Sequence, residues 1–184
     1  VLRTLPNATL HSQRARLASI TVFTLATIVA ARLVIPMEPV PFTLQPMAVL
    51  LAGMVLGARD GALSQLVYVA LIALGLPFDA NMRGQAALFG PTGGYLLGFV
   101  AAAFVTGLLV ERAGSRLWQR WLAGVAGIAV IYAFGVPVLA LTRGLTLEQA
   151  FIAGAAPFLV PDLAKALLAA ALAEGGRKLL RAKA

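Results

Sequence analysis

Cysteine is absent from this 184-residue chain, and histidine occurs once, at His11. Without cysteine there is no disulfide, thiolate metal site or cysteine nucleophile, and one histidine in a basic arm supports neither a catalytic triad nor a multi-histidine metal centre. Charge is scarce as well. Asp, Glu, Lys and Arg make up 12% of the residues, against about a quarter in an ordinary soluble domain. Hydrophobic residues fill 60% of the chain instead, and the mean hydropathy is +0.90. Too little polar material remains to cover a globule in water, which excludes an ordinary cytosolic enzyme and a disordered chain. The length matches about six hydrophobic helices of ~20 residues with their connections. The composition therefore predicts an all-α polytopic membrane protein, a six-transmembrane-helix bundle forming one integral membrane domain over 1–184. Residues 1–16 are read as a basic cytoplasmic arm, about 17–175 as the six-helix core, and 176–184 as a basic cytoplasmic tail.

The net charge of +8 raises the question of nucleic acid, but the basic residues form no groove-reading stripe. They cluster at both ends and around Arg112, Arg116 and Arg120, as cytoplasmic loops do. Only Arg83 and Arg143 fall on the opposite side, while Arg32 and Lys165 lie inside apolar runs. An even number of spans with both termini cytoplasmic follows, and nucleic acid is not expected as a partner.

The first span is read over 17–35, with Arg32 snorkelling to the outer headgroups. Pro36, Pro39, Pro41 and Pro46 stiffen the next loop. Helices are expected over 47–56 and 62–76, separated by a tight turn at 57–61. Both runs are short for a crossing, and a re-entrant hairpin there would reduce the count to four. A polar loop over 77–92 leads to a fourth helix at 93–110. Trp118 and Trp121, beside arginines, suit a headgroup-level connection before a fifth helix at 122–141. Thr146 and Gln149 have the spacing of a capping box opening a short helix. Pro157 and Pro161 break the chain before a last helix from 161 to 173 or beyond. Loops 36–45, 77–92 and 142–160 then share the outer face, so a small-molecule site should open outward.

Asp162 and Lys165 stand three apart, hence on one helix face. Intramembrane charges are costly and generally serve a function; the plainer alternative is an ion pair that staples the helix end. Gln45 offers both donor and acceptor to an amide-like or ureido ligand, and Thr43 beside it suits either a ligand or a backbone cap. The segment Phe89-Gly-Pro-Thr-Gly-Gly-Tyr95 is glycine-rich before a helix, but it lacks the lysine and the preceding strand of a phosphate-binding loop. ATP hydrolysis by this chain is thereby rejected. Gly90, Gly94, Gly98 and Ala102 recur every four residues, as do Gly53, Gly57 and Gly61, while Ala26 and Ala30 place small residues on the first helix. Such stripes serve close packing inside a bundle or a flat patch for a partner's helix. Tyr95 fits an interfacial anchor or a ring over a ligand. Asn81 and Arg83 are candidate polar contacts in the outer loop, with Arg83 open to pairing with a ligand carboxylate or with Asp79.

With these residues in view, the chain resembles the BioY family, the biotin-binding S components of energy-coupling-factor (ECF) transporters. The resemblance rests on Pro39-Val-Pro-Phe-Thr-Leu-Gln45, Gly75-Leu-Pro-Phe78, Gly90-Pro-Thr-Gly-Gly-Tyr-Leu-Leu-Gly-Phe99 and Pro157-Phe-Leu-Val-Pro-Asp-Leu-Ala-Lys165. It departs from the family at Asp79, Asn81, Met82 and Arg83, where small residues and glycine are usual, and at Val160-Pro161, where a Pro-Gly pair is common. The resemblance implies a non-enzymatic, six-helix protein of the bacterial plasma membrane whose outer loops enclose biotin. It implies partners too: a transmembrane coupling subunit and two ATP-binding subunits, with no cofactor in this chain and ATP bound only by those subunits. By the same resemblance, Gln45, Tyr95, Asp162 and Lys165 belong to the ligand site, and Ala26 and Ala30 to the face that docks on the coupling subunit. The rival readings are an S component for another vitamin and a self-sufficient secondary transporter with Asp162 as coupling carboxylate.

Overall fold

The computed structural model describes residues 13–113 and 116–182, with side chains through Arg177. His11, Arg3 and Lys183 lie outside the described residues. Among the described residues, seven α-helices predominate: α1 (Gln13–Arg32), α2 (Gln45–Leu56), α3 (Ala58–Ala73), α4 (Gly93–Ala113), α5 (Leu117–Arg143), α6 (Leu147–Gly154) and α7 (Leu159–Ala182). A two-residue antiparallel pair, β1 (Val34–Ile35) with β2 (Phe42–Thr43), pins the proline-rich loop after α1. The helical class expected from composition is therefore observed. Among the described residues, four stretches are long and apolar enough to cross a membrane: α1, α4, α5 and the segment Leu147–Arg177 that joins α6 to α7. With 12 and 16 residues, α2 and α3 rise only about 18 and 24 Å, short of a ~30 Å hydrocarbon core. The chain is an integral membrane protein in which α2 is largely buried, whereas α3 exposes a face of Leu63, Leu66 and Val67.

The turn expected over 57–61 shrinks to one residue. Gly57 alone leaves the helical conformation, at φ +83°, a region that costs glycine nothing. Its N–H still bonds Gly53 O at 3.0 Å. The next residue already opens α3, because Glu111 of α4 accepts the Ala58 N–H at 3.0 Å and an acceptor carboxylate there satisfies an orphan donor and meets the positive helix end. At the other boundary the capping box is formed as expected: Gln149 N donates to Thr146 Oγ1 at 3.2 Å and Thr146 N to Gln149 Oε1 at 3.0 Å. Pro161 is not the first residue of the last helix. A 3-10 turn over Ala156–Phe158 hands directly to Leu159, which places Asp162 still within the first turn of α7.

Both glycine stripes are spent inside the bundle. A Cβ on Gly94 or Gly98 would run into Phe134, Ile131 and Val138 of α5, and one on Gly53 into Ala103 and Gly107 of α4. Close approach of α4 to α5 and of α2 to α4 explains these residues fully. The two alanines of α1 diverge: Ala30 is buried in the bundle, whereas Ala26 is exposed beside Val22, Leu25 and Val29.

Arg32, exposed at the end of α1, donates from Nη2 to the carbonyls of Pro77 at 2.5 Å and Asp79 at 2.9 Å, tying α1 to the loop after α3. Two side chains of α5 depart from their expected surroundings. Arg120 is 1% exposed, not a headgroup residue, because α5 starts at Leu117 and turns it inward. Trp121 is half-buried and donates its Nε1 proton to Leu163 O at 3.2 Å, while Trp118 remains exposed.

Candidate functional site

A partly open cavity lies where the loop after α1, the loop after α3 and the break between α6 and α7 converge. Its wall includes Thr43, Gln45, Asn81, Tyr95, Asp162 and Lys165. Six of the seven residues singled out as ligand candidates thus share one hollow. Arg83 does not. It borders an adjoining outer hollow with Glu38 and Arg143, and Asn81 and Thr92 line both spaces.

The deepest polar feature is built from α7 and α5. Lys165 Nζ donates to Asp162 Oδ1 at 2.7 Å, as helical i,i+3 spacing allows. Tyr132 Oη donates to Asp162 Oδ2 at 2.6 Å. Asp162 and Lys165 are only 4% and 5% exposed, so the pair is desolvated and its mutual neutralisation is what makes burial tolerable. The ammonium also sits 3.7 Å above the centre of the Phe42 ring, a cation–π contact that strengthens as water is removed. Phe42 in turn stacks on Phe158, with ring centroids 6.3 Å apart. The pair is thus both self-satisfying and part of the cavity wall. A carboxylate has about four lone-pair sites; two here are occupied, which leaves acceptor capacity on a residue that lines the cavity.

Gln45, the first residue of α2, lies across the cavity. Its Nε2 donates to Tyr68 Oη at 2.6 Å, and Tyr68 passes its own proton to Phe78 O at 3.0 Å. Thr43 Oγ1 donates to Gln45 Oε1 at 3.2 Å and accepts from Gln45 N at 3.2 Å. Thr43 therefore orients the glutamine and caps the turn, the blander of its two roles, while still lining the space. The second Nε2 proton of Gln45 has no partner among these bonds and is available to an acceptor.

Tyr95 is no interfacial anchor. It is buried, donates to Gly154 O at 2.9 Å, and occupies room left by Gly135 and Gly154, where any Cβ would collide with its ring and hydroxyl. Asp79 does not pair with Arg83; its carboxylate is buried and accepts from Asn81 N at 3.1 Å and Gly84 N at 2.7 Å, which shapes the loop. Sequence reasoning missed Tyr68, Tyr132, Phe42 and Phe158. The first two carried a usable signal, a phenol in the middle of an otherwise apolar helix, since a buried hydroxyl seeks a partner. Among the described residues no group of three or more Asp, Glu or His side chains could hold a metal ion.

The arrangement can accept two hydrogen bonds at Asp162, donate from Gln45, and cover an apolar body with Leu96, Phe99, Ile131 and Phe158. That is the chemistry of a compact, mostly apolar ligand with a donor–acceptor ring. Comparison with known proteins points the same way. A model of the BioY family matches residues 6–182. The biotin transporter BioY of Thermotoga maritima is 46% identical over 159 residues, covering 86% of this chain and 93% of its own length. That of Rhizobium etli is 43% identical over 175 residues, with coverage of 86% and 93%. The fold is similar to the crystal structure of the S-component for biotin from an ECF-type ABC transporter, at a TM-score of 0.84 and 25% identity. That match covers 92% of this chain and 94% of the other.

Proposed function

This chain belongs to the BioY family, and from that premise we propose that it is the biotin-capturing S component of an ECF-type ABC importer. The observation that carries the reading is the single hollow shared by Gln45, Asp162 and Lys165. Biotin has a ureido ring with two N–H donors and one carbonyl, an apolar bicycle, and a carboxylate on a flexible stem. Asp162 accepts from a ureido N–H, and the free Nε2 proton of Gln45 or the Lys165 ammonium meets its carbonyl. Phe42, Tyr95, Phe99 and Phe158 enclose the bicycle.

An even number of crossings in a bacterial plasma membrane, with both termini cytoplasmic, puts this hollow on the outer face. Import then needs a transmembrane coupling subunit, for which the α1 face around Ala26 is the candidate dock. Two ATP-binding subunits supply the energy, since this chain has no phosphate-binding loop.

Biotin is expected to raise the melting temperature of the detergent-purified protein, because a ligand selective for the folded state must. Riboflavin and thiamine should not. A well-folded sample that shows no shift at saturating biotin overturns the reading. Uptake by the chain alone in proteoliposomes under an ion gradient would instead favour Asp162 as a coupling carboxylate.

A further inference from the structure

The most deeply buried charge among the described residues lies away from the cavity. Arg120, near the start of α5, is 1% exposed. Its Nη1 donates to Met54 O, in the last turn of α2, at 3.3 Å. Its Nε lies 3.6 Å from Glu174 Oε2 of α7, and Glu174 is held from its other side by Arg177, at 2.6 and 3.2 Å. An ionised guanidinium in an apolar bundle is costly to bury, and intramembrane charge of this kind commonly serves a function. The proposed chemistry of the cavity does not use it.

The helices that Arg120 joins are the two that carry the polar anchors of the cavity. Gln45 and Met54 are nine residues apart on α2, and so are Lys165 and Glu174 on α7, a rise of about 13 Å along each helix. Arg120 thus grips both helices the same distance from the residues that face the cavity. Its own helix reaches back to them as well. Trp121 bonds Leu163 O beside Asp162, and Tyr132 bonds the Asp162 carboxylate. Between these points the gap closes tightly: a Cβ on Gly124, one turn beyond Arg120, would lie 3.0 Å from Met54 Cε and 3.1 Å from Ala166 Cβ. Packed interiors transmit a shift rather than absorb it.

We propose that Arg120 is a positioning residue for ligand binding. By clamping the Met54 carbonyl of α2 to Glu174 of α7, it sets the separation of Gln45 from the Asp162–Lys165 pair across the cavity. Arginine is suited to this because its planar fork serves a backbone carbonyl and a carboxylate at once, which a lysine ammonium does not match. Linkage makes the effect reciprocal: ligand bridging the anchors at one level tightens the clamp at the other.

This inference rests on the proposed function, and its test separates the two. Biotin affinity is measured by titration calorimetry for the wild type, Arg120→Gln, Arg120→Lys, Glu174→Gln and a control, Thr24→Val. The control removes the buried 2.9 Å bond from Thr24 to Ser64 O between α1 and α3, far in the fold from α5 and α7. Melting temperature without ligand is recorded for each. Arg120→Gln and Glu174→Gln should weaken biotin about tenfold in protein that remains folded and monodisperse. Arg120→Lys should recover melting temperature more than affinity, and Thr24→Val should lower melting temperature at unchanged affinity. Unchanged affinity in the folded Arg120 and Glu174 variants, beside a wild type that binds, overturns the inference alone. Should Arg120→Gln fail to fold, unchanged affinity in Arg120→Lys and Glu174→Gln does the same. A wild type that does not bind biotin overturns the proposed function and this inference with it.

Discussion

Of the polar clusters buried in this apolar bundle, two make a direct contrast, because only one of the pair borders the cavity. Between α1 and α3, Thr24 donates to Ser64 O at 2.9 Å, while Thr27 and Gln65 bond side chain to side chain at 3.1–3.2 Å. The Gln65 amide also donates to Ser64 Oγ, which itself donates to Gly61 O. These groups are buried, face one another, and line neither the cavity nor the hollow beside Arg83. Asp162, Lys165, Gln45, Tyr68 and Tyr132 are buried as well, yet Asp162 and Gln45 keep unused hydrogen-bonding capacity and line the cavity. Polarity inside an apolar helix therefore does not by itself mark a site. Unspent hydrogen-bonding capacity beside a hollow does, because a closed network gains nothing from a ligand, whereas an open one exchanges water for it.

The contrast sets the order of expected effects. Asp162→Ala should be the most damaging, weakening biotin by about 100-fold in calorimetry, since it removes the acceptor for the ureido donors and strands a buried ammonium. Tyr132→Phe keeps the ring but deletes the 2.6 Å bond to Asp162, and about tenfold is expected from a charge-assisted bond. Arg83→Gln, at an exposed residue of the outer hollow, should cost less than about threefold, shrinking further at high salt. Gln65→Leu, in the closed seam, should lower stability by about 1–3 kcal/mol without altering affinity. A seam variant that changed affinity as much as Tyr132→Phe would erase the distinction between the two clusters.

Much of the cavity's polar lining was legible in advance. Asp162, Lys165 and Gln45 stood out because a polar residue in an apolar run demands a reason, and the structure brings all three to one hollow. Thr43, Asn81 and Tyr95 were found there as well, although Thr43 and Tyr95 have their hydrogen bonds directed into the protein. Arg83 was set apart by one loop conformation, since the Asp79 carboxylate it was offered is occupied by backbone N–H groups. Arg120 and Trp121 misled for a different reason. Hydropathy places an arginine–tryptophan cluster at the membrane boundary, but α5 begins a turn earlier than the apolar run and rotates both side chains toward α7.

Composition and spacing alone determined that this chain lives in a bilayer as helices, where its breaks fall, and which polar residues need an explanation. Those properties are sums over neighbouring residues, so they can be read locally. Which polar groups meet was decided only by tertiary structure: Gln45 finds Tyr68 across 23 residues and Asp162 finds Tyr132 across 30. The same is true of the glycine stripes turning inward and of Ala26 and Ala30 parting company. Helical periodicity states which residues share a face, but the neighbour that face receives depends on how all the helices pack together.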